Sequence, residues 1–445
     1  MKKLLMIAMA AIVFAACETD PTGNGKEPSI TLYDVVAELV YPAEFAPAEG
    51  IEIVAKNSNG TTTTASTDSE GKASFQLPEG KYEFSASDKR ALDGYSYTFN
   101  AMVSNLVISE STTIQLEMTG SRSGQILIKE IYAGGCQKDD GSGVYQFDKY
   151  ITIYNNSDQE ATLNNFGVGM ANPFNAHASN SNYVDGTLAY ADQGFTPSAS
   201  GIWFMQHPIT LQPFEEKVIA INGAINHTTT YSNSVDLSNA DYCMYDPEVL
   251  ANTSYYPAPS ETIAVEDYMK VCFIGLGNAW AFSAICPGVF IFNLDEGIYP
   301  LAYGQAEDNI YYPAGNEGNA VYACVKIPND AILDVVDIFS AEHLDESLPR
   351  FSNTLEAGYT VLTNKLGYTS YRNVDKEATE AIAENEGKIV YGYAKGTVDA
   401  NGASSTDNSG IDAEASIAAG AKIIYMDTNN STNDFHQRAN AALRD

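Results

Sequence analysis

The stretch Phe147 to Gly169, FDKYITIYNNSDQEATLNNFGVG, constrains the fold of this chain more than any other. Its first half alternates, with Tyr150, Thr152 and Tyr154 pointing one way and Ile151 and Ile153 the other. That two-residue period belongs to a strand partly covered on both faces. Asn155, Asn156, Ser157 and Asp158 break the pattern, and all four tolerate turn geometry or bond back to their own backbone. Leu163, Phe166 and Val168 follow as a second strand, loosened by Gly167 and Gly169. The pattern predicts a β-hairpin in the middle of a sandwich.

A chain of 445 residues exceeds one compact domain. Its net charge of −33 repels phosphate and argues against a nucleic-acid partner. Only 18% of residues are charged, so the acidity reflects a shortage of Lys and Arg rather than acidic blocks. With 44% hydrophobic residues there is ample core.

The N-terminus gives the most specific motif. Lys2 and Lys3 form a basic start, and Leu4 to Ala16 an apolar run too short to span a bilayer. Phe14-Ala15-Ala16-Cys17 has the form of a lipobox, in which Cys17 would be lipidated and become the first residue. The expectation is a signal peptide over 1–16 and a lipidated Cys17 with a tether over 17–28, rich in Pro and Gly. The alternative is a plain signal peptide cut after Ala16. Glu18 and Asp20 resemble the surface-export signal of Bacteroidota lipoproteins. That resemblance implies an outer-membrane, lipid-anchored protein at the cell surface, with the periplasmic face as the alternative.

Cys136, Cys243, Cys272, Cys286 and Cys324 lack zinc-like spacing. Either at most two disulfides form, or the five are buried free thiols acting as small apolar side chains.

Short strands are expected at Val35–Val40, Ile51–Lys56, Ala73–Leu77, Tyr82–Ser85, Val103–Ser109 and Ile114–Met118, within a first domain over 29–119. The run from Thr67 to Tyr82, TDSEGKASFQLPEGKY, places turns at Asp68–Gly71 and Pro78–Gly80 and points Phe75 and Leu77 at a core. This run resembles the hairpin of prealbumin-like, carboxypeptidase-regulatory-type domains. The resemblance implies a small non-catalytic β-sandwich used as a stalk.

The second domain is expected over 125–445. EIYAGG (130–135), followed by the organising stretch, resembles the opening of lamin-tail-type immunoglobulin-like domains. It is similar, more closely, to a Bacteroidota family of lipoproteins of unknown function built on that pattern. Pro208 to Asn222 resembles the next piece of that family. Ser370-Tyr371-Arg372 and the run Asp427 to Phe435 resemble its closing motifs. The resemblance implies a mainly β chain of two sandwiches, the second enlarged by loop insertions. Asn/Tyr/Pro-rich sequence up to Ser260 and the stretch Ala378 to Gly420 read as such insertions. Ala378 to Glu386 is the best short helix by composition, and Ile332 to Ser340 reads as a helix or a buried strand.

Candidate chemistry is sparse. His177, His207, His227, His343 and His436 lie in no nucleophile or zinc motif. Asp427, Asn429, Ser431 and Asn433 alternate oxygen-bearing side chains as calcium loops do, though Arg438 stands where such a loop carries its final Glu. The chain is expected to need no cofactor, or Ca2+ at those four residues. The alternative is a capped turn in which Asp427 and Asp434 accept backbone N–H bonds and pair with Arg372. Tyr242, Tyr245, Tyr255 and Tyr256 in loop-like sequence are the candidate ligand-binding rings. Trp203 and Trp280 sit in strand-like runs and read as core.

The resulting expectation is a non-enzymatic binding or accessory lipoprotein. Its partners would be the membrane through Cys17 and an outer-membrane receptor protein or a glycan; the family resemblance implies a TonB-dependent uptake receptor. A secreted glycan- or peptide-directed hydrolase and a structural adhesin are the alternatives.

Overall fold

The computed structural model describes residues 31–43, 45–58, 61–92, 95–123, 125–400 and 402–444. The expected signal peptide, Cys17 and the tether lie outside them. The chain divides into two compact units. Among the described residues, one comprises those within 31–40, 45–86 and 101–117, and the other those within 41–43, 87–100 and 118–444.

In the first unit, strand Leu32–Val40 pairs antiparallel with Lys72–Pro78 and parallel with Thr112–Glu117. Strand Glu52–Asn57 pairs with Thr62–Ser66 and with Gly80–Leu92. Alternation does its expected work here. Phe75 and Leu77 are buried while Ser74 and Gln76 face solvent, and the Phe75 and Phe84 rings meet edge to face at 5.6 Å. Asp68 Oδ1 accepts N–H bonds from Glu70 and Lys72 and so closes the turn that feeds this strand.

The second unit is built on one twelve-stranded sheet. From one edge, its strands run Thr360–Leu362, Ile332–Ser340, Gly288–Asn293, Phe166–Met170, Gly201–Phe204 and Tyr268–Phe273. They continue through Tyr242–Met244, Glu216–Ala220, Tyr150–Asn155, Ile126–Tyr132, Thr369–Arg372 and Phe435–Arg438. The sheet folds onto itself. Ile126, Ile128, Ile151 and Ile153 from one half share a core with Val168, Trp203, Ile291 and Val336 from the other. The Ile128 N–H donates across the fold to Asp334 Oδ2 at 2.6 Å. The result is a mainly β, sandwich-like unit. Ile332–Ser340 is a buried strand, and Trp203 and Trp280 are fully enclosed.

The expected hairpin is corrected. Tyr150–Asn155 and Phe166–Met170 are both strands, but they do not pair with each other. The first lies between Ile126–Tyr132 and Glu216–Ala220, the second between Gly201–Phe204 and Gly288–Asn293. Every residue of Tyr150–Asn155 is buried, because further chain covers the outer face as well. Tyr150 packs with Tyr132, Val235 and Leu237, and Tyr154 with Val374, Ile411 and Tyr425. That second cover comes from an arm over residues 373–425, which contains the stretch Ala378 to Gly420 read as an insertion. Alternation of two apolar classes reports a strand but does not say which strand it pairs with.

The five cysteines of the described residues are free and buried, which selects the small-apolar reading. Among the described residues no helix is long and apolar enough to cross a membrane.

Candidate functional site

Two of the four candidate tyrosines are core residues, which corrects the reading of them as a ligand-facing patch. Tyr242 and Tyr256 are buried, and the Tyr256 hydroxyl donates to the Trp280 carbonyl at 3.0 Å. Burial pushes the Tyr242 phenol up to about 12. Tyr245 and Tyr255 are half-buried; their rings pack against Tyr268 at 5.5 Å and Phe147 at 5.0 Å. Turn-rich composition suggested exposed loops, but these rings serve packing.

The proposed calcium loop folds as a hydrogen-bonded turn in which Ser431 and Asp434 have protein partners. Ser431 to Asp434 forms a short helix, capped by the Asn430 side chain on the Thr432 N–H. Asp434 accepts from the Thr428 N–H and hydroxyl, each at 2.8 Å. Ser431 is buried, with its N–H on Glu356 Oε1 at 2.7 Å and its hydroxyl bonded to Glu356 Oε2. The Asn433 carbonyl accepts from Asn373 Nδ2. The cation that this turn faces is a side chain. Arg372 Nη1 lies 3.6 Å from Asp427 and 3.9 Å from Asp434, and its Nη2 pairs with Asp334. Arg372 also donates to the carbonyls of Ile128 and Met426, and its guanidinium sits 4.5 Å above the centre of the buried Phe435 ring. Burial pushes the Asp334 carboxyl upward while the guanidinium opposes that shift. Burial alone dominates at Glu356, which rises to about 8. Among the described residues no group of three or more His, Cys, Asp or Glu side chains is placed to hold a metal ion.

A thiol–imidazole pair escaped sequence reasoning because 109 positions separate its members. Cys286 Sγ lies 3.4 Å from His177 Nδ1 and accepts the Ala176 N–H. Asn175 Oδ1 stands 3.8 Å from the sulfur and receives the Ser283 hydroxyl at 2.6 Å. The His177 ring stacks on His343 at 4.1 Å. Nucleophilic catalysis needs an accessible thiolate. Cys286 is fully enclosed and burial raises its thiol, so the pair as it stands packs and hydrogen-bonds.

A groove of the second unit lies on the 373–425 arm. Helix Lys376–Ala381 is capped by Asp375, whose side chain accepts the Ala378 N–H. A single turn, Ala383–Asn385, follows. Asn385 is buried and locks this segment by donating to the carbonyls of Thr379 and Lys422 and accepting the Lys422 N–H. The returning chain is held where Val390 N–H meets Ser416 Oγ and the Asp412 N–H meets the Val390 carbonyl. Between the two runs is a groove of about 500 Å³ lined by Glu380, Ile382, Asn385, Glu386, Ile389 and Tyr391. Tyr391 is 55% exposed. Its hydroxyl donates to Glu380 Oε1 at 2.7 Å, and Lys376 Nζ stands 5.7 Å from the centre of its ring. The sequence marked this region as an insertion with a short helix, but nothing local singled out Tyr391 among 28 tyrosines.

A crystal structure of a DUF4876 family protein from Bacteroides thetaiotaomicron is similar at 19% identity with a TM-score of 0.51, covering 91% of this chain and 94% of its own. A DUF3823 family protein from Parabacteroides merdae matches at 8% identity with a TM-score of 0.17, over 69% of this chain and 99% of its own. No curated protein matches. The family described as "Protein of unknown function (DUF4876)" matches residues 212–442, more than half of the chain, which therefore belongs to the DUF4876 family.

Proposed function

We propose that this chain is a lipid-anchored protein of the outer membrane, displayed at the cell surface, that works by binding rather than by catalysis. The Tyr391 groove carries the reading. It holds an exposed ring, a carboxylate fixed beside that ring and half-buried aliphatic walls on a braced frame, the mix of apolar area and few placed polar groups that ligand sites use. The lipobox at Cys17 supports the address. The first unit, with its prealbumin-like hairpin, then acts as a stalk, and the second, lamin-tail-like, presents the groove to an outer-membrane receptor of the TonB-dependent class.

Two experiments test this. Mass spectrometry of the mature protein should show acylated Cys17 and no Met1 to Ala16, and Cys17→Ala should move the protein to a soluble fraction. Unchanged membrane retention of that variant rejects the anchor. Pull-down of the full chain from solubilised outer membranes should recover an uptake barrel, and Tyr391→Ala should weaken recovery. Turnover of glycan or peptide substrates that is lost in Cys286→Ala would instead establish a hydrolase.

A further inference from the structure

We propose that the Tyr391 groove takes a basic peptide segment, with a lysine or arginine lodged against the Tyr391 ring and the Glu380 carboxylate. The proposal rests on the reading of this groove as the binding surface.

The groove lining carries two carboxylates, Glu380 and Glu386, and beside it stands one cation of the chain itself, Lys376. The electron-rich face of a tyrosine attracts ammonium and guanidinium groups within about 6 Å. The chain itself demonstrates the preference. Lys376 Nζ already sits 5.7 Å from the ring centre and 3.9 Å from Glu380 Oε1. The Lys376 side chain is 52% exposed, so it is held loosely and a cation from a partner can replace it. The Tyr391 hydroxyl keeps Glu380 beside the ring, so the carboxylate needs no reorganisation when a ligand arrives. Ile382 and Ile389 supply apolar wall for an aliphatic stem, which long basic side chains bury while their heads stay polar. The net charge of −33 draws a basic segment toward the surface and repels an acidic one.

The test uses the full chain and a dye-labelled pentapeptide alternating glycine and lysine, read by fluorescence anisotropy. The same peptide acetylated at every lysine is the matched neutral probe. The charged peptide should bind and the acetylated one should not. Tyr391→Ala and Glu380→Gln should each weaken binding by about two- to fivefold, the effect of one exposed cation–π or charge contact. Lys376→Ala should strengthen it, because an internal competitor is gone. Tyr391→Phe, which keeps the ring but not the bond to Glu380, should fall between wild type and Tyr391→Ala. Equal binding of the acetylated peptide, indifference to Tyr391→Ala, or weaker binding by Lys376→Ala each overturns the proposal. A neutral maltohexaose arm separates the two levels of argument. Tyr391-dependent binding of the oligosaccharide without the peptide keeps the groove as a binding surface and rejects the basic ligand. No Tyr391-dependent binding of either rejects both.

Discussion

The closing turn and the groove use the same three parts, a cation, a carboxylate and an aromatic ring, at opposite ends of the burial scale. In the turn, Arg372 stands over Phe435 and pairs with Asp334, and all three are almost fully enclosed. In the groove, Lys376 stands over Tyr391 and pairs with Glu380, and solvent reaches all three. Enclosure makes the first set unconditional, because removing one partner strands a charge that water cannot reach. Exposure makes the second set nearly neutral for folding, because water screens it whether or not the contact forms. The same chemistry is therefore structure in one place and an available surface in the other.

The largest expected effect is at Arg372. Arg372→Met leaves Asp334, Asp427 and Asp434 without their cation and should destabilise the second unit by about 3–5 kcal/mol, measured by urea unfolding. Lys376→Met should cost about 0.5 kcal/mol or less. Similar costs for the two variants would erase the distinction drawn above.

Next is the pH response of Glu356, whose carboxyl burial lifts to about 8 from about 4.3 in an unfolded chain. Below about pH 4.3 both states hold the proton and the favourable contribution is complete. Between there and about 8 the unfolded chain has released a proton that the folded chain still holds. Each pH unit in that window should therefore cost about 1.4 kcal/mol of stability, and above about 8 the contribution is gone. Unfolding midpoints taken from pH 5 to pH 7 should fall more steeply in the wild type than in Glu356→Gln. Parallel slopes would show that Glu356 is ionised in the folded state.

A smaller effect is expected at the other end of the same bond. Ser431→Ala removes the hydroxyl on Glu356 Oε2 and should cost about 1–3 kcal/mol, the penalty of an unmet buried polar atom. In the Glu356→Gln background its cost should change, because the two side chains share one interaction. Strict additivity would mean that the turn is held by its backbone alone.

How legible each region was follows from the range of its contacts. Phe75 and Leu77 were readable because alternation and the Asp68 turn are local. The pairing of Asp427 and Asp434 with Arg372 was readable as one of two options, since an acidic turn near an Asp-Phe needs a counter-charge. The partner of Ser431, Glu356, lies 75 positions away and was silent in sequence. The strand at Tyr150–Asn155 was legible, while its partners were not. Its turn signals, Asn155 to Asp158, predicted an immediate return, yet the next strand, Ala161–Leu163, pairs with Ile209–Leu211, and Phe166–Met170 joins a distant part of the sheet. The groove was invisible because exposure is a tertiary property. Tyr391 is open and Tyr242 is buried, and nothing in either neighbourhood separates the two rings.

The smallest effect on stability, and the sharpest on the comparison, is expected at Tyr391. Its ring lies outside every buried cluster, and its hydroxyl bond is made in solvent to an exposed carboxylate. Tyr391→Ala should leave the urea midpoint and the unfolding slope where they are, because little apolar area returns to water and no buried group loses a partner. The frame beneath it does not depend on the ring. Asn385 closes on the backbone of Thr379 and Lys422, and Val390 is tied to Ser416 and Asp412. Asn385→Ala should therefore destabilise the arm while Tyr391→Ala does not, although the two side chains line one groove. Hydrogen exchange of the amides from 376 to 391 would separate the two changes. Faster exchange in Asn385→Ala alone is the expected pattern. Equal loosening by Tyr391→Ala would show that the ring braces the arm, and its exposure could then no longer be read as a surface kept free for a ligand.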